Sequence, residues 1–390
     1  MKWINTDNIV LIKSWCKDLE EGALAQVENL ANHPCVFKHV AIMPDCHVGY
    51  GMPIGGVVAL KGAVVPNFVG VDIGCGMCAV KTTAKTSGVT TGILHRIIDD
   101  LKLRIPVGKE HRKAPLDWGG FDDPDLCSII KENLKSAGHQ LGTLGSGNHF
   151  IEVQVDEEGY IWLMLHSGSR NIGYRIANHF HKKAVELCKR WYSPVEADNY
   201  SSAFLPIGTK EAAEYITSMN WALEFAKENR RIMMKIFKEV INSFTGCTFS
   251  EEINIHHNFA AIENHFRENV WVHRKGATKA YKGQLGIIPG SMGTASYIVR
   301  GLGNIQSFKS CSHGAGRNCG RAEFCKTHTV EECNESIKDV VFSGWGDNRK
   351  GNPDISEAPE AYKNIDEVIE SQLDLVDIVT KLRPLAVMKG

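Results

Sequence analysis

The β-type runs of this chain do not alternate regularly with its helical runs, and that favours an α+β fold over a doubly wound sheet. Short apolar, β-rich segments recur at 37–43 (FKHVAIM), 55–60 (GGVVAL), 149–155 (HFIEVQV), 160–165 (YIWLML) and 296–301 (SYIVRG). Helical periodicity is strongest over 171–192 and 210–243, and then over 366–382. Strands and helices mixed without a regular βαβ alternation predict an α+β class. No internal repeat or low-complexity tract occurs. The stretch 106–126 (PVGKEHRKAPLDWGGFDDPDL) reads as a long surface loop carrying basic residues. With no linker in view, the 390 residues are expected to form a single domain, 1–390.

Glycine-rich polar knots stand just outside these runs: MPDCHVGYGMPIGG (43–56), GVDIGCGMC (70–78), GTLGSGNHFIE (142–152), HSGSRNIG (166–173), NIHHNFA (254–260), PGSMGTAS (289–296) and SCSHGAGRNCGRA (310–322). Turns alone do not require so many, because each knot carries Asp, Cys, His, Asn, Arg or Ser, and all but NIHHNFA set them among glycines. Loops on a rigid scaffold are where binding and catalysis concentrate. Asp72 and Cys75 lie three apart after the apolar FVGV, and His149, His166 and His257 each flank a strand-like run. Together they offer enough ligands for two divalent ions, with the thiolate as a bridge. His313 is followed by Gly-Ala-Gly, which leaves room for a large group to approach the imidazole. Cys75-Gly-Met-Cys78 is also a CxxC, but it has no second CxxC to complete a zinc ribbon, and its surroundings are unlike a thioredoxin site. Cys78 is expected to be a buried strand residue.

Composition excludes more than it selects. The formal net charge of −1 gives no global attraction to polyanions, so any nucleic-acid affinity must come from a local patch. Residues 102–113, 228–238 and 273–279 are the basic candidates, each taken singly read first as a solvated face. The N-terminal segment has no apolar signal-like core and no stretch is long and apolar enough to span a bilayer. The 12 cysteines are scattered irregularly. A cytoplasmic protein with reduced thiols and no membrane partner is expected. A P-loop, a K-x-D-G motif, a G-x-S-x-G elbow and an H-E-x-x-H helix are all missing, which sets aside ordinary kinase, hydrolase and zincin readings.

Taken in order, MPDCHVGYGMPIGG, VGVDIGCGM, LGTLGSGNHFIEV, LHSGSRNIG, HHN, RKGA, IIPGSMGTASYIVRG, SCSHGAGR, EAPEAYK and the terminal MKG resemble the RtcB family of GTP- and manganese-dependent RNA ligases over nearly the whole chain. The resemblance implies a single α+β domain with a central β-sandwich-like core and helices outside. It implies joining of an RNA 3′-phosphate or 2′,3′-cyclic phosphate end to a 5′-hydroxyl end, through a covalent histidine–GMP intermediate on His313. It implies two Mn²⁺ held by Asp72, Cys75, His149, His166 and His257, with Cys75 shared. By the same resemblance Asn148, Phe150, Glu152, Asn258, Ser291, Ser296, Tyr362 and Lys389 would hold GTP, and Arg170, Arg317 and Arg321 would meet phosphate or RNA. Glu152 could accept from both N1–H and the 2-amino group of guanine, which adenine does not offer. The partners implied are RNA with such ends and GTP, with room for an accessory activating protein.

The chain departs from the family pattern after HGAGR, where Asn318-Cys319-Gly320-Arg321 replaces an apolar pair followed by Ser-Arg. The stretch 102–126 also differs. These departures bear on RNA choice, leaving tRNA splicing and repair of cleaved tRNA or rRNA both open. Two other readings compete: a metal-dependent cyclic phosphodiesterase or phosphoesterase that does not ligate, and an RNA-binding protein with a degenerate site. Every expected ligand position and the nucleotide positions are filled, which favours the ligase.

Overall fold

Period-2 alternation in the strand runs builds the core. The computed structural model describes residues 1–4, 7–195, 199–346 and 351–390. In the strand Gly76–Lys85, Cys78 and Val80 point one way and Met77 and Ala79 the other. Strands Phe150–Asp156 and Tyr160–Ser167 repeat the pattern, with Ile151, Val153, Leu163 and Leu165 on the first face and Phe150, Trp162 and Met164 on the second. The first face is covered by the helix Thr91–Arg104, through Leu94, Ile97, Ile98 and Leu101, and by the second half of the long helix Lys210–Thr245.

These strands belong to an eight-stranded sheet. Its order runs Ile253–His256, Gly76–Lys85, Tyr160–Ser167, Phe150–Asp156, Val376–Lys389, Ser296–Gly301 and Leu285–Ile288, and the short strand Val341–Phe342 pairs off the path. A second sheet of six strands contains Val36–Tyr50 and Met52–Leu60 next to Glu268–Lys275 and Asn258–His265. Its Ala41, Met43, Val57 and Ala59 meet Ile288, Tyr297 and Val299 of the first sheet. Its opposite face, Val40, Ile42, Val58 and Leu60, lies under Ala23, Val27 and Leu30 of the helix Glu21–Ala31. The fold is therefore α+β, with two sheets face to face and helices outside.

All five strand runs read from the sequence are strands, and the first two helical runs are the helices Arg170–Arg190 and Lys210–Thr245. Residues 106–126 are mostly irregular, with one short 3₁₀ turn at Gly119–Phe121. Their Trp118 and Phe121 are anchored on Trp221 and Phe225 of the long helix.

The helix expected over 366–382 is corrected. Only Ile365–Glu370 is helical, and Val376–Lys389 is a 14-residue strand between two partners of the eight-stranded sheet. The β-branched run Ile378-Val379-Thr380 suits a strand, and Pro384 sits where the register shifts. Cys78 is a buried strand residue, as expected. No helix among the described residues is long and apolar enough to cross a membrane.

Two of the three basic segments are partly withdrawn from the surface, although Arg231 and Lys235 of 228–238 stay exposed. Arg230, Arg274 and Lys275 are buried, and Arg274 pairs with Glu263 at 2.7 Å. In 102–113, Lys109, His111 and Lys113 remain exposed.

Candidate active site

Antiparallel register brings the knots together at one end of the larger sheet. Gly76 pairs with Ser167 and with His256, Met77 with His166, and Phe150 with both His166 and Lys389. Asp72 and Cys75 therefore enter this end on the loop before Gly76. His149 enters just before Phe150, His166 one residue before its strand ends, and His257 between two strands.

The side chains converge. Cys75 Sγ lies 3.4 Å from His149 Nε2 and 3.2 Å from His166 Nε2. His149 Nε2 is 3.1 Å from Asp72 Oδ2, and His166 Nε2 is 3.3 Å from His257 Nε2. Ligands around one tetrahedral ion stand roughly 3.4–3.7 Å apart, so this spacing suits a transition metal. Outer partners set the tautomers. His149 Nδ1 donates to Leu144 O (2.9 Å) and His166 Nδ1 to Asn148 O (3.1 Å), which leaves each Nε2 lone pair facing inward. Burial holds His166 and His257 well below the usual imidazole range, so both are neutral donors. Burial, aided by Asp72, pushes the Cys75 thiol well up. A bound cation is what would turn it into a thiolate. His257 Nδ1 is buried without a partner among the described residues. The soft donor Cys75 with His149 and His166 forms a metal-competent cluster.

The long helix supports this loop from beneath. Arg230 is fully buried and donates to Gly74 O and Ser167 O (2.8 Å each) and to Asn254 Oδ1 (2.9 Å). Asn229 accepts from Gly142 N and Thr143 N and donates to Gly168 O. A Cβ at Gly168 would sit 2.2 Å from Asp72 Oδ1, so only glycine lets that carboxylate seat.

His313 follows the strand Ser310–Ser312 and stands against the cluster, its ring 4.7 Å from that of His257. Asp45 Oδ2 accepts from His313 Nδ1 (2.7 Å) and from its backbone N (3.1 Å). A carboxylate only accepts, so the proton sits on Nδ1 and the Nε2 lone pair is free to act as a nucleophile. Gly316 has φ +76°, and a Cβ there would lie 2.2 Å from Asp45 O. Gly316 thus admits the backbone of Asp45.

A cavity opens from His313 and His166 and is lined by Asn148, Phe150, Glu152, Ser291, Tyr362 and Lys389. Burial raises the Glu152 carboxyl to about 7, against a hydrogen bond from Gln154 and the charge of Lys389. Arg317 and Arg321 close one side. Asn258 and Ser296 sit in its frame. Asn258 bonds Asp72 O and Gly276 N, tying the metal loop to the turn beneath His313, and Ser296 Oγ accepts from Gln154 and from Gly290 N. Arg170 donates to Gly108 O and Thr143 Oγ1, so two arms of its fork act within the protein.

Three residues of this site escaped the sequence reading. Asp45 lies in the first knot, and its role becomes visible only once a partner 268 residues away is known. Glu357 opens EAPEAYK and gathers Arg321 (2.7 Å), Arg317 (3.4 Å), Lys389 (3.5 Å) and the Tyr362 hydroxyl. Against the upward push of burial, these charges and the tyrosine pull its carboxyl down to about 2. Arg230 was counted in a basic stretch.

One carboxylate-oriented histidine thus joins a metal-competent cluster to a cavity with a buried acid. The sequence model of the family described as "RtcB: tRNA-splicing ligase RtcB" matches residues 26–123 and 117–390. The chain is 39% identical to the RNA-splicing ligase RtcB of Escherichia coli (strain K12), covering 97% of each protein. It is 32% identical to the RNA-splicing ligase RtcB of Mycobacterium bovis (94% of this chain, 100% of that one). The tRNA-splicing ligase RtcB of Nanoarchaeum equitans is 30% identical (95% and 92%). The chain belongs to the RtcB family.

Proposed function

We propose that this protein is a GTP-dependent RNA ligase, working as one domain over 1–390, that joins 3′-phosphate or cyclic-phosphate ends to 5′-hydroxyl ends. The observation that carries the reading is His313: Asp45 fixes its tautomer, and its ring lies between the metal cluster and the cavity holding Glu152. Nε2 attacks the α-phosphorus of GTP, its P–N bond replaces the bond to pyrophosphate, and GMP stays on the protein. Glu152, ionised, accepts from guanine N1–H and the 2-amino group. Phe150 and Tyr362 wall the base, with Asn148, Ser291 and Lys389 alongside. Asn258 and Ser296 act by holding that frame. Asp72, Cys75, His149, His166 and His257 would hold two Mn²⁺, with Cys75 shared. Cations held there would neutralise phosphate charge and help to align the displacement.

GMP then passes to the RNA 3′-phosphate, and the 5′-hydroxyl displaces it. Arg317 and Arg321 are the phosphate-contacting guanidinium groups, and Arg170 positions the loop beside Asp72. The setting is tRNA splicing or repair of cleaved tRNA or rRNA in the cytoplasm. The test is label from α-labelled GTP and Mn²⁺, retained on denatured protein as an acid-labile, alkali-stable adduct that His313→Ala abolishes. Release of cyclic phosphate without any adduct would favour the phosphoesterase instead.

A further inference from the structure

The nucleotide cavity does not end at Arg317. His47, Ile54, Arg317 and Arg321 line both it and a second hollow, whose remaining wall includes Val48, Cys319 and Gly320. At the boundary, Arg317 Nε donates to Cys319 O (3.1 Å) and Nη1 to Ser356 O (2.9 Å). Its Nη2 is buried with no hydrogen-bond partner among the described residues. A buried guanidinium nitrogen left unpaired has lost its water without a replacement, so an anionic oxygen brought to it would be held strongly. Arg321, bonded through Nε to Glu357, stands on the same boundary with half its side chain exposed.

The hollow beyond is mostly uncharged. Val48, Ile54 and Cys319 offer apolar surface. Burial lowers His47 to about 4, so its ring is neutral, with Nδ1 donating to Asp45 O (2.9 Å). Glu20, at the rim, is engaged by Val48 N at 2.6 Å. Gly320 is informative because the fold does not need a glycine there. Its φ of −65° and ψ of 148° suit any residue, and a Cβ would meet nothing within 4 Å. The missing side chain widens the hollow without serving the backbone.

We propose that this hollow receives the terminal nucleoside of the RNA 3′-phosphate end, with the phosphate between Arg317 and Arg321, and that Gly320 sets how large a base it admits. The inference rests on the ligase reading and gives that reading its second substrate position. From there a 3′-phosphate oxygen forms a P–O bond to the GMP phosphorus. The P–Nε2 bond to His313 breaks with its electron pair returning to the imidazole, and the RNA leaves with a 3′-pyrophosphoryl-guanosine end.

The test compares wild type with Gly320→Leu and Gly320→Ala, using full-length protein, Mn²⁺, α-labelled GTP, and RNAs ending in a purine or a pyrimidine 3′-phosphate. Guanylylation should stay within about twofold of wild type, while kcat/KM for purine ends falls at least roughly tenfold in Gly320→Leu and less for pyrimidine ends. Gly320→Ala, a single added methyl in open space, should show the same order of preference in weaker form, and it decides the matter if the leucine variant does not fold. Equal ligation of all ends by a folded variant overturns the proposal. So does a loss confined to guanylylation at low GTP, which would give the hollow to the triphosphate. Absence of guanylylation in the wild type would instead overturn the ligase reading itself.

Discussion

Asp45 is the sharpest place to test how His313 is made reactive. Its carboxylate is fully buried, and Oδ2 takes two donors, both from His313, while Oδ1 has no partner among the described residues. In Asp45→Asn the backbone N–H of His313 still demands an acceptor, so the amide oxygen takes the place of Oδ2 and the tautomer is kept. What is lost is the charge. A hydrogen bond to a charged group is worth about 1.5–3 kcal/mol against 0.5–1.5 for a neutral pair. A loss of about 1–2 kcal/mol predicts guanylylation slowed roughly 5–30-fold. Asp45→Ala removes the acceptor for both donors and frees the ring to swap tautomers. Losing two charge-assisted bonds, about 3–5 kcal/mol, predicts a fall of roughly 10²–10⁴-fold. Single-turnover formation of the acid-labile adduct, with GTP and Mn²⁺ saturating, measures both. Wild-type rates in Asp45→Ala, or a slower Asp45→Asn than Asp45→Ala, would refute the reasoning.

Glu152 should make GTP binding pH-dependent. Its carboxyl is raised to about 7 by burial and must be ionised to accept from guanine. Binding therefore expels a proton below that pH, and affinity should fall about tenfold for each unit of acidification. Titration calorimetry in buffers of different ionisation heat checks this, and Glu152→Gln should abolish the proton release. Cys75→Ala should lower the Mn²⁺ retained by the protein and its affinity at least about tenfold, measured by metal analysis and titration; undiminished Mn²⁺ binding would remove the thiolate from the ligand set. Arg230→Ala leaves several buried acceptors unpaired and a large void, about 4 kcal/mol. With an unfolding entropy of about 0.8 kcal/mol per degree for a chain this long, Tm should drop roughly 5 °C; an unchanged Tm would show that Arg230 does not carry the metal loop.

Much of the scaffold is legible in the sequence because period-2 runs such as FIEVQV and YIWLML are also sheet faces. The 366–382 segment misled because its apolar spacing fits a helix turn by turn, whereas its true partners, 150–156 and 296–301, lie far away in sequence. Asp72, Cys75, His149, His166 and His257 announce themselves as metal-binding residue types in glycine-containing or polar loops. Asp45, Glu357 and Arg230 do not. Each acts through partners that the sequence does not place beside it, and a buried charged residue looks in sequence like any surface charge. Asn258 and Ser296 show the converse, residues of the right motif whose polar atoms are engaged in holding the frame.

The central claim is that His313 carries GMP. Incubating the protein with α-labelled GTP and Mn²⁺, digesting it, and sequencing the labelled peptide tests this directly. The account predicts a phosphoramidate on His313, formed from GTP in preference to ATP and discharged when 3′-phosphate RNA is added. Label on another residue, or ligation proceeding undiminished in His313→Ala, would contradict it.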